Sequence, residues 1–203
     1  MGHWNTKEGI MELLYRLVKV PSVTGTRGEL RMEDEISAIL KEMPYFQKYP
    51  DQIYRKEITG DLLNRKAVAA FYQGSKTSKK TIILLSHYDV VGVEDYGRLA
   101  PLAFSPLECT SAMAEENLSV DAEQDLKSGE WIFGRGIMDM KAGLAIQMAL
   151  LSEASEQGNL KHNLLFLATP DEERYSAGMF AGVELIKGIK DQYQLDLEVA
   201  ICS

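Results

Sequence analysis

Two unbroken apolar stretches each run straight into polar, ligand-type residues, and together they restrict the fold more than any other feature of the chain. The first lies within Thr81–Val91, which reads T-I-I-L-L-S-H-Y-D-V-V, so that the run Ile82–Leu85 stops at His87 and Asp89. The second, Leu164–Ala168, stops at Thr169-Pro-Asp-Glu-Glu173. Continuous Ile/Leu runs are what a strand buried on both faces looks like. Such strands belong to parallel sheets covered by helices, with ligands and catalytic groups collecting at their carboxyl ends. A histidine and an aspartate two residues apart on a strand project to the same side. Imidazole and carboxylate are both good zinc ligands.

The rest of the chain supplies the helices such a sheet needs. Ile10, Leu13, Leu14, Leu17 and Val18 recur at helical spacing and Pro21 closes the run; after the Ser22–Gly28 loop, Ile36, Ile39, Leu40 and Met43 mark a second helix ending near Pro44. Ile53–Thr59 and Ala67–Tyr72 read as strands joined by a turn, and Gly74–Lys80 as a loop. From Gly92 to Glu130 periodicity is lost, which predicts a long functional or disordered loop. Trp131–Phe133 leads into G-R-G-I-M-D-M-K-A-G at 134–143, then a helix from about Met140 to Gln157 that Gly158 ends. A helix around Ala177–Lys190 and a strand at Leu197–Cys202 follow. This rhythm of strand, helix and strand predicts an α/β three-layer sandwich, a largely parallel mixed sheet flanked by helices. No repeat, low-complexity tract or linker divides residues 1–203.

Composition narrows the function classes. A net charge of -8 without any Lys/Arg-rich run argues against nucleic acid as a partner. The two cysteines, Cys109 and Cys202, form no Cys-x-x-Cys pattern, which argues against a disulfide framework or a cysteine-type zinc site, and Cys202 reads as a buried strand residue. No apolar stretch reaches membrane-spanning length and the first twenty residues lack a signal-peptide core, so the expected setting is cytoplasmic with no membrane partner. Met1, Gly2 and Thr6 fit a myristoylation pattern too permissive to carry weight.

Three clusters carry the chemistry: His87 with Asp89, Asp139 in its glycine-rich turn, and Asp171 with Glu172 and Glu173. A pair of divalent metals needs this inventory of a histidine, a bridging carboxylate, a further carboxylate and a base. Each residue also has a structural reading. His87 could be a hydrogen-bonded strand-end histidine, Asp139 a helix N-cap, and Asp171–Glu173 acids at the N-terminal end of the next helix. Gly134-x-Gly136 before a helix fits a phosphate-binding turn poorly, because the third glycine and the Gly-Lys-Ser/Thr are missing and Asp139 would repel phosphate. No Gly-x-Ser-x-Gly elbow is present, and His3 and His162 stand in no context that makes them bases.

In this order, His87-Tyr-Asp-Val-Val, Gly134-Arg-Gly-x-x-Asp139-Met-Lys and Asp171-Glu-Glu173 resemble the motifs of the co-catalytic zinc peptidases and deacylases, the family of aminoacylase, glutamate carboxypeptidase, acetylornithine deacetylase and succinyl-diaminopimelate desuccinylase. The likeness runs from the Leu13–Leu17 helix and the Pro21-Ser-Val-Thr24 loop onward. The Ser-Val-Thr-Gly segment and the long stretch before Trp131 look most like the family's bacterial arginine-utilisation branch.

The resemblance implies two divalent metal ions, zinc first, with cobalt or manganese as alternatives. It makes His87 a ligand of one metal, Asp139 the bridge, Glu173 a ligand of the other, Glu172 the general base, and Asp89 the support that orients His87. The substrate would be a small N-acylated amino acid or peptide. The resemblance also implies further ligands beyond Ser203, an acid soon after and a histidine much later, together with the remaining strands and a lid or dimerisation domain. On that reading the chain is the N-terminal part of the catalytic domain of a homodimeric parent and has little activity alone. The competing class is a non-catalytic binding or assembly protein of the same fold.

Overall fold

The computed structural model describes residues 4–202; Met1, Gly2 and His3, on which the acylation pattern and one spare histidine rest, and Ser203 lie outside the described residues. Three helices come first: α1 (Lys7–Val18), α2 (Gly28–Glu42) and the short α3 (Pro44–Lys48). Thr6 caps α1 by accepting the Gly9 N–H at 3.1 Å, which starts the helix where Leu13, Leu14, Leu17 and Val18 turn inward. Pro44 does more than end the second helix: it opens α3 from the first position, where a missing N–H costs nothing. There follow β1 (Ile53–Glu57), β2 (Lys66–Tyr72), β3 (Lys80–His87), α4 (Pro106–Met113), α5 (Val120–Ser128), α6 (Ala142–Gln157), β4 (Asn163–Thr169), α7 (Ala177–Tyr193) and β5 (Asp196–Cys202).

The strands form one sheet in the order β1-β2-β4-β3-β5. β3 runs parallel to both β4 and β5, while β2 is antiparallel to both β1 and β4, so the sheet is mixed and flanked by helices as expected. Side chains alternate with period two across it. Val68, Ala70, Tyr72, Leu164, Phe166 and Ala168 join the core beneath α1, α2 and α6, whereas Ala67, Ala69, Phe71, Leu165 and Leu167 meet Ala181 and Ile189 of α7. β4 is buried at every residue. Each large aliphatic or aromatic side chain enclosed in this way contributes roughly 1.5–3 kcal/mol.

β3 is less enclosed than its sequence implies. Ile82, Ile83 and Leu85 are half-buried, because the neighbouring β5 is exposed along most of its length. Cys202, expected to be buried, is accordingly exposed.

The largest departure is the Gly92–Glu130 segment, which is helical. A two-part 3-10 stretch at Glu94–Leu102, broken at Gly97, leads into α4 and α5. The signals for α5 are local: Ser119 accepts the Ala122 N–H at 3.3 Å, and Gly129 closes the helix with φ 70. α5 buries no residue, so it lacks the apolar period by which a helix is read from sequence. The segment packs back on the glycine-rich turn. The Arg135 N–H donates to the Ala103 carbonyl at 2.7 Å, and the guanidinium pairs with Asp95 beside the Tyr96 ring.

α6 begins at Ala142, later than expected, after a wide turn over Ile137–Lys141 in which Asp139 is extended and Met140 is non-helical; it ends at Gly158, φ 64, as read. α6, the helix that leads into β4, covers one face of the sheet together with α1 and α2, and α7, which follows β4, covers the other. The two connections part at the carboxyl ends of β3 and β4, and a crevice opens there. Among the described residues, no helix is long and apolar enough to cross a membrane.

Candidate metal centre

His87 is the last residue of β3 and nearly buried. Its Nδ1 lies 3.1 Å from the backbone carbonyl of Asp89, and a proton donated there leaves the Nε2 lone pair available to a metal ion. Nε2 faces the crevice, 3.0 Å from Asp139 Oδ1 and 3.8 Å from Glu172 Oε2. One ligand atom each from His87, Asp139 and Glu173 lies within 4.8 Å of the other two. One imidazole nitrogen and two carboxylate oxygens converging in this way form a donor set that fits a divalent ion such as zinc. The charges fit as well. Glu173 is pushed above the usual carboxylate range, by burial first and then by the negative Asp139, a crowding that a cation relieves.

Burial alone would lower the pKa of His87; Asp89, Glu172 and Asp139 outweigh it and push the ring up to about 9. Asp89 itself is fully buried. Its carboxylate accepts the Thr24 hydroxyl at 2.8 Å and the backbone N–H groups of Glu172 at 3.0 Å and Glu173 at 3.2 Å. Burial would raise its pKa, and those donors together with His87 hold it below the usual value. Asp89 thus supports His87 through its carbonyl and the acid turn through its carboxylate, which stands 3.6 Å from Nδ1.

The structural readings divide. Asp139 is not an N-cap, since Lys141 occupies that position and Asp139 is extended with its side chain 74% exposed. Asp171 does serve the next helix, accepting the Ala177 N–H at 3.2 Å. Four residues of the surrounding frame carried no assigned role in the sequence reading: Thr24, Glu29, Arg65 and Lys141. Lys141 is fully buried, donates to the carbonyls of Leu17 at 3.2 Å and Val20 at 2.8 Å, and is pushed down to about 7 by burial. It fastens the Asp139 turn to the end of α1. Its place beside Asp139 in the motif was the available signal, whereas a single arginine after a turn, as at Arg65, gives none. Next to the three ligand-type side chains, a cleft of about 280 Å³ is lined by Val91, Gly134–Asp139 and Glu173.

Residues 83–203, which hold all of these motifs, match the sequence profile of Peptidase family M20/M25/M40. The chain belongs to the M20 peptidase family. Two relatives come from Bacillus subtilis (strain 168). Protein RocB is 37% identical over 202 residues, covering 99% of this M20 chain and 36% of RocB; the uncharacterized protein YqjN is 39% identical over 201 residues, covering 98% and 36%. The chain therefore spans 36% of the length of these relatives. Among solved structures, the di-peptidase Dug1p from Saccharomyces cerevisiae matches with a TM-score of 0.67 and 19% identity, over 100% of this chain and 41% of Dug1p. At that identity the likeness concerns the fold.

Proposed function

We propose that this M20 chain is part of a metal-dependent hydrolase that cleaves an amide bond in a small N-acylated amino acid or peptide. The observation that carries this reading is the convergence of His87, Asp139 and Glu173 within 4.8 Å, with Glu172 beside them. His87 would hold one divalent ion, Asp139 both and Glu173 the other, with zinc first and cobalt or manganese as alternatives. When bound, such a pair polarises the scissile carbonyl and makes the attacking water a stronger acid. Glu172, half-exposed at the crevice mouth, takes the proton from that water and passes it to the leaving amine. Asp89 keeps His87 and the two glutamates in place throughout. The products are an amine and a carboxylate.

Three ligand side chains are too few for two four-coordinate ions. The reading therefore assigns further ligands to sequence outside these 203 residues, in line with the 36% span of the relatives. The chain is the N-terminal part of the catalytic domain, with a lid or dimerisation domain elsewhere in a homodimeric parent, and alone it hydrolyses little. The resemblance of the Ser-Val-Thr-Gly segment and of the stretch before Trp131 to the arginine-utilisation branch extends the proposal to a cytoplasmic role in amino-acid, and specifically arginine, catabolism.

The test is hydrolysis of N-acyl amino acids and dipeptides by the zinc-loaded full-length protein and its Glu172→Gln variant. The variant is expected to lose about 10²–10⁴-fold in kcat while keeping its metal. Full activity in the variant would remove Glu172 as the base. No hydrolysis by the metal-loaded wild type would favour the binding or assembly reading.

A further inference from the structure

Behind the crevice, one guanidinium joins three carboxylates from three separate parts of the chain. Arg65 lies in the turn between β1 and β2, and its Nη1 donates to Glu29 at 2.9 Å and to Asp171 at 2.8 Å while Nη2 donates to Asp61 at 2.7 Å. Glu29, in the first turn of α2, is fully buried and also accepts the Gly25 N–H at 2.6 Å and the Asp171 N–H at 3.0 Å. Three successive N–H groups of the acid turn thus end on two buried carboxylates: that of Asp171 on Glu29, those of Glu172 and Glu173 on Asp89. The same two carboxylates hold the Thr24–Gly25 loop from the other side.

Asp89 grips the turn from the strand side through the N–H groups of Glu172 and Glu173, and the Asp171 carbonyl and carboxylate tie it to the start of α7. The Arg65–Asp171 ion pair, with the Glu29 bond to the Asp171 N–H, holds the opposite side of the turn. Asp171 sits at φ 66, a left-handed conformation that costs a non-glycine residue about 1–3 kcal/mol and persists where surrounding contacts over-determine it. Without Arg65 the carboxylates of Glu29, Asp61 and Asp171 would face one another in a buried space. Asp171 would turn away, and Glu172 and Glu173 would go with it.

We propose that Arg65 and Glu29 are positioning residues for Glu172 and Glu173, acting through Asp171 to hold the base and one metal ligand at the crevice. This rests on the metal-hydrolase reading above. Outer partners of metal ligands are worth about 10–100-fold in metal affinity or activity.

The test uses the full-length protein and zinc, with affinity measured by competition with a chromophoric chelator and kcat and KM measured on the same samples. Arg65→Met is expected to weaken zinc binding about 10–100-fold and to lower kcat by a similar factor with KM little changed. Arg65→Lys is expected to recover part of the loss, because an ammonium cannot reproduce the planar fork between the carboxylates. Glu29→Gln, nearly isosteric, is the second variant and decides the matter if Arg65→Met does not fold. Arg55→Met breaks the ion pairs to the buried Glu33 and the exposed Asp34 of α2 without touching the acid turn, and is expected to leave zinc affinity unchanged. Folded Arg65→Met and Glu29→Gln proteins with wild-type zinc affinity and kcat would overturn the positioning role. If zinc is bound by the wild type and lost in His87→Ala, that result leaves the metal reading standing; if the wild type takes up no zinc, both fall.

Discussion

Asp89 and Glu29 are the side chains on which the arrangement of the crevice turns, and only one of them is visible in the sequence. Asp89 sits in a short motif with His87, so its proximity to that residue follows from spacing alone. Glu29 lies in an ordinary amphipathic stretch, and its role depends on contacts with Gly25, Arg65 and Asp171 that no local pattern encodes. Burial, opposed in part by Arg65 and the Gly25 N–H, pushes Glu29 from 4.5 up to about 7. Between those two values the folded protein holds a proton that the unfolded chain releases. The stability contribution is therefore complete below pH 4.5 and lost as the pH rises through about 7. In urea unfolding of the metal-free protein, wild-type stability is expected to fall relative to Glu29→Gln by on the order of 3 kcal/mol across this window. Midpoints of the two proteins that move in parallel with pH would contradict the assignment.

At the scale of elements, legibility followed apolar periodicity. β2 and β4 put every residue or nearly every residue into a core, and α1 and α2 bury clean stripes, so all four were read from sequence close to their observed limits. α4 and α5 were missed because they lie on the surface and bury little or nothing. The Asp139 turn was misplaced for another reason: its residues have good helical neighbours but a non-helical backbone imposed by docking. Gly136 is central to that docking, with φ 73 and an added Cβ only 2.3 Å from Val90 Cγ1. Gly136→Ala is expected to destabilise the protein by about 1–3 kcal/mol in thermal or urea unfolding and to weaken metal binding by moving Asp139. Unchanged stability and metal affinity would show that the turn is not held by this close approach.

For the whole molecule, the order of strands places the site and also leaves one side open. Val199 and Ile201 of β5 and Ile146 and Leu150 of α6 are exposed aliphatic residues, and Gln147 of α6 donates to the Ile201 carbonyl between them. Strand-edge hydrogen-bonding groups beside an apolar face favour pairing with another chain. The 203-residue chain is expected to self-associate with rising concentration in light scattering, and Ile201→Lys to reduce this. A monodisperse monomer at all concentrations would contradict the expectation. The sequence showed β5 as a strand but not as an open edge, because its composition is that of a buried one.

Whether His87, Asp139 and Glu173 hold metal decides the chemistry of the crevice. The decisive measurement is the metal content of the full-length protein after dialysis against excess zinc and then metal-free buffer, beside its His87→Ala and Asp139→Asn variants. Zinc retained by the wild type and lost from both variants is the expected result. A metal-free wild type, or variants that retain as much zinc as the wild type, would contradict it.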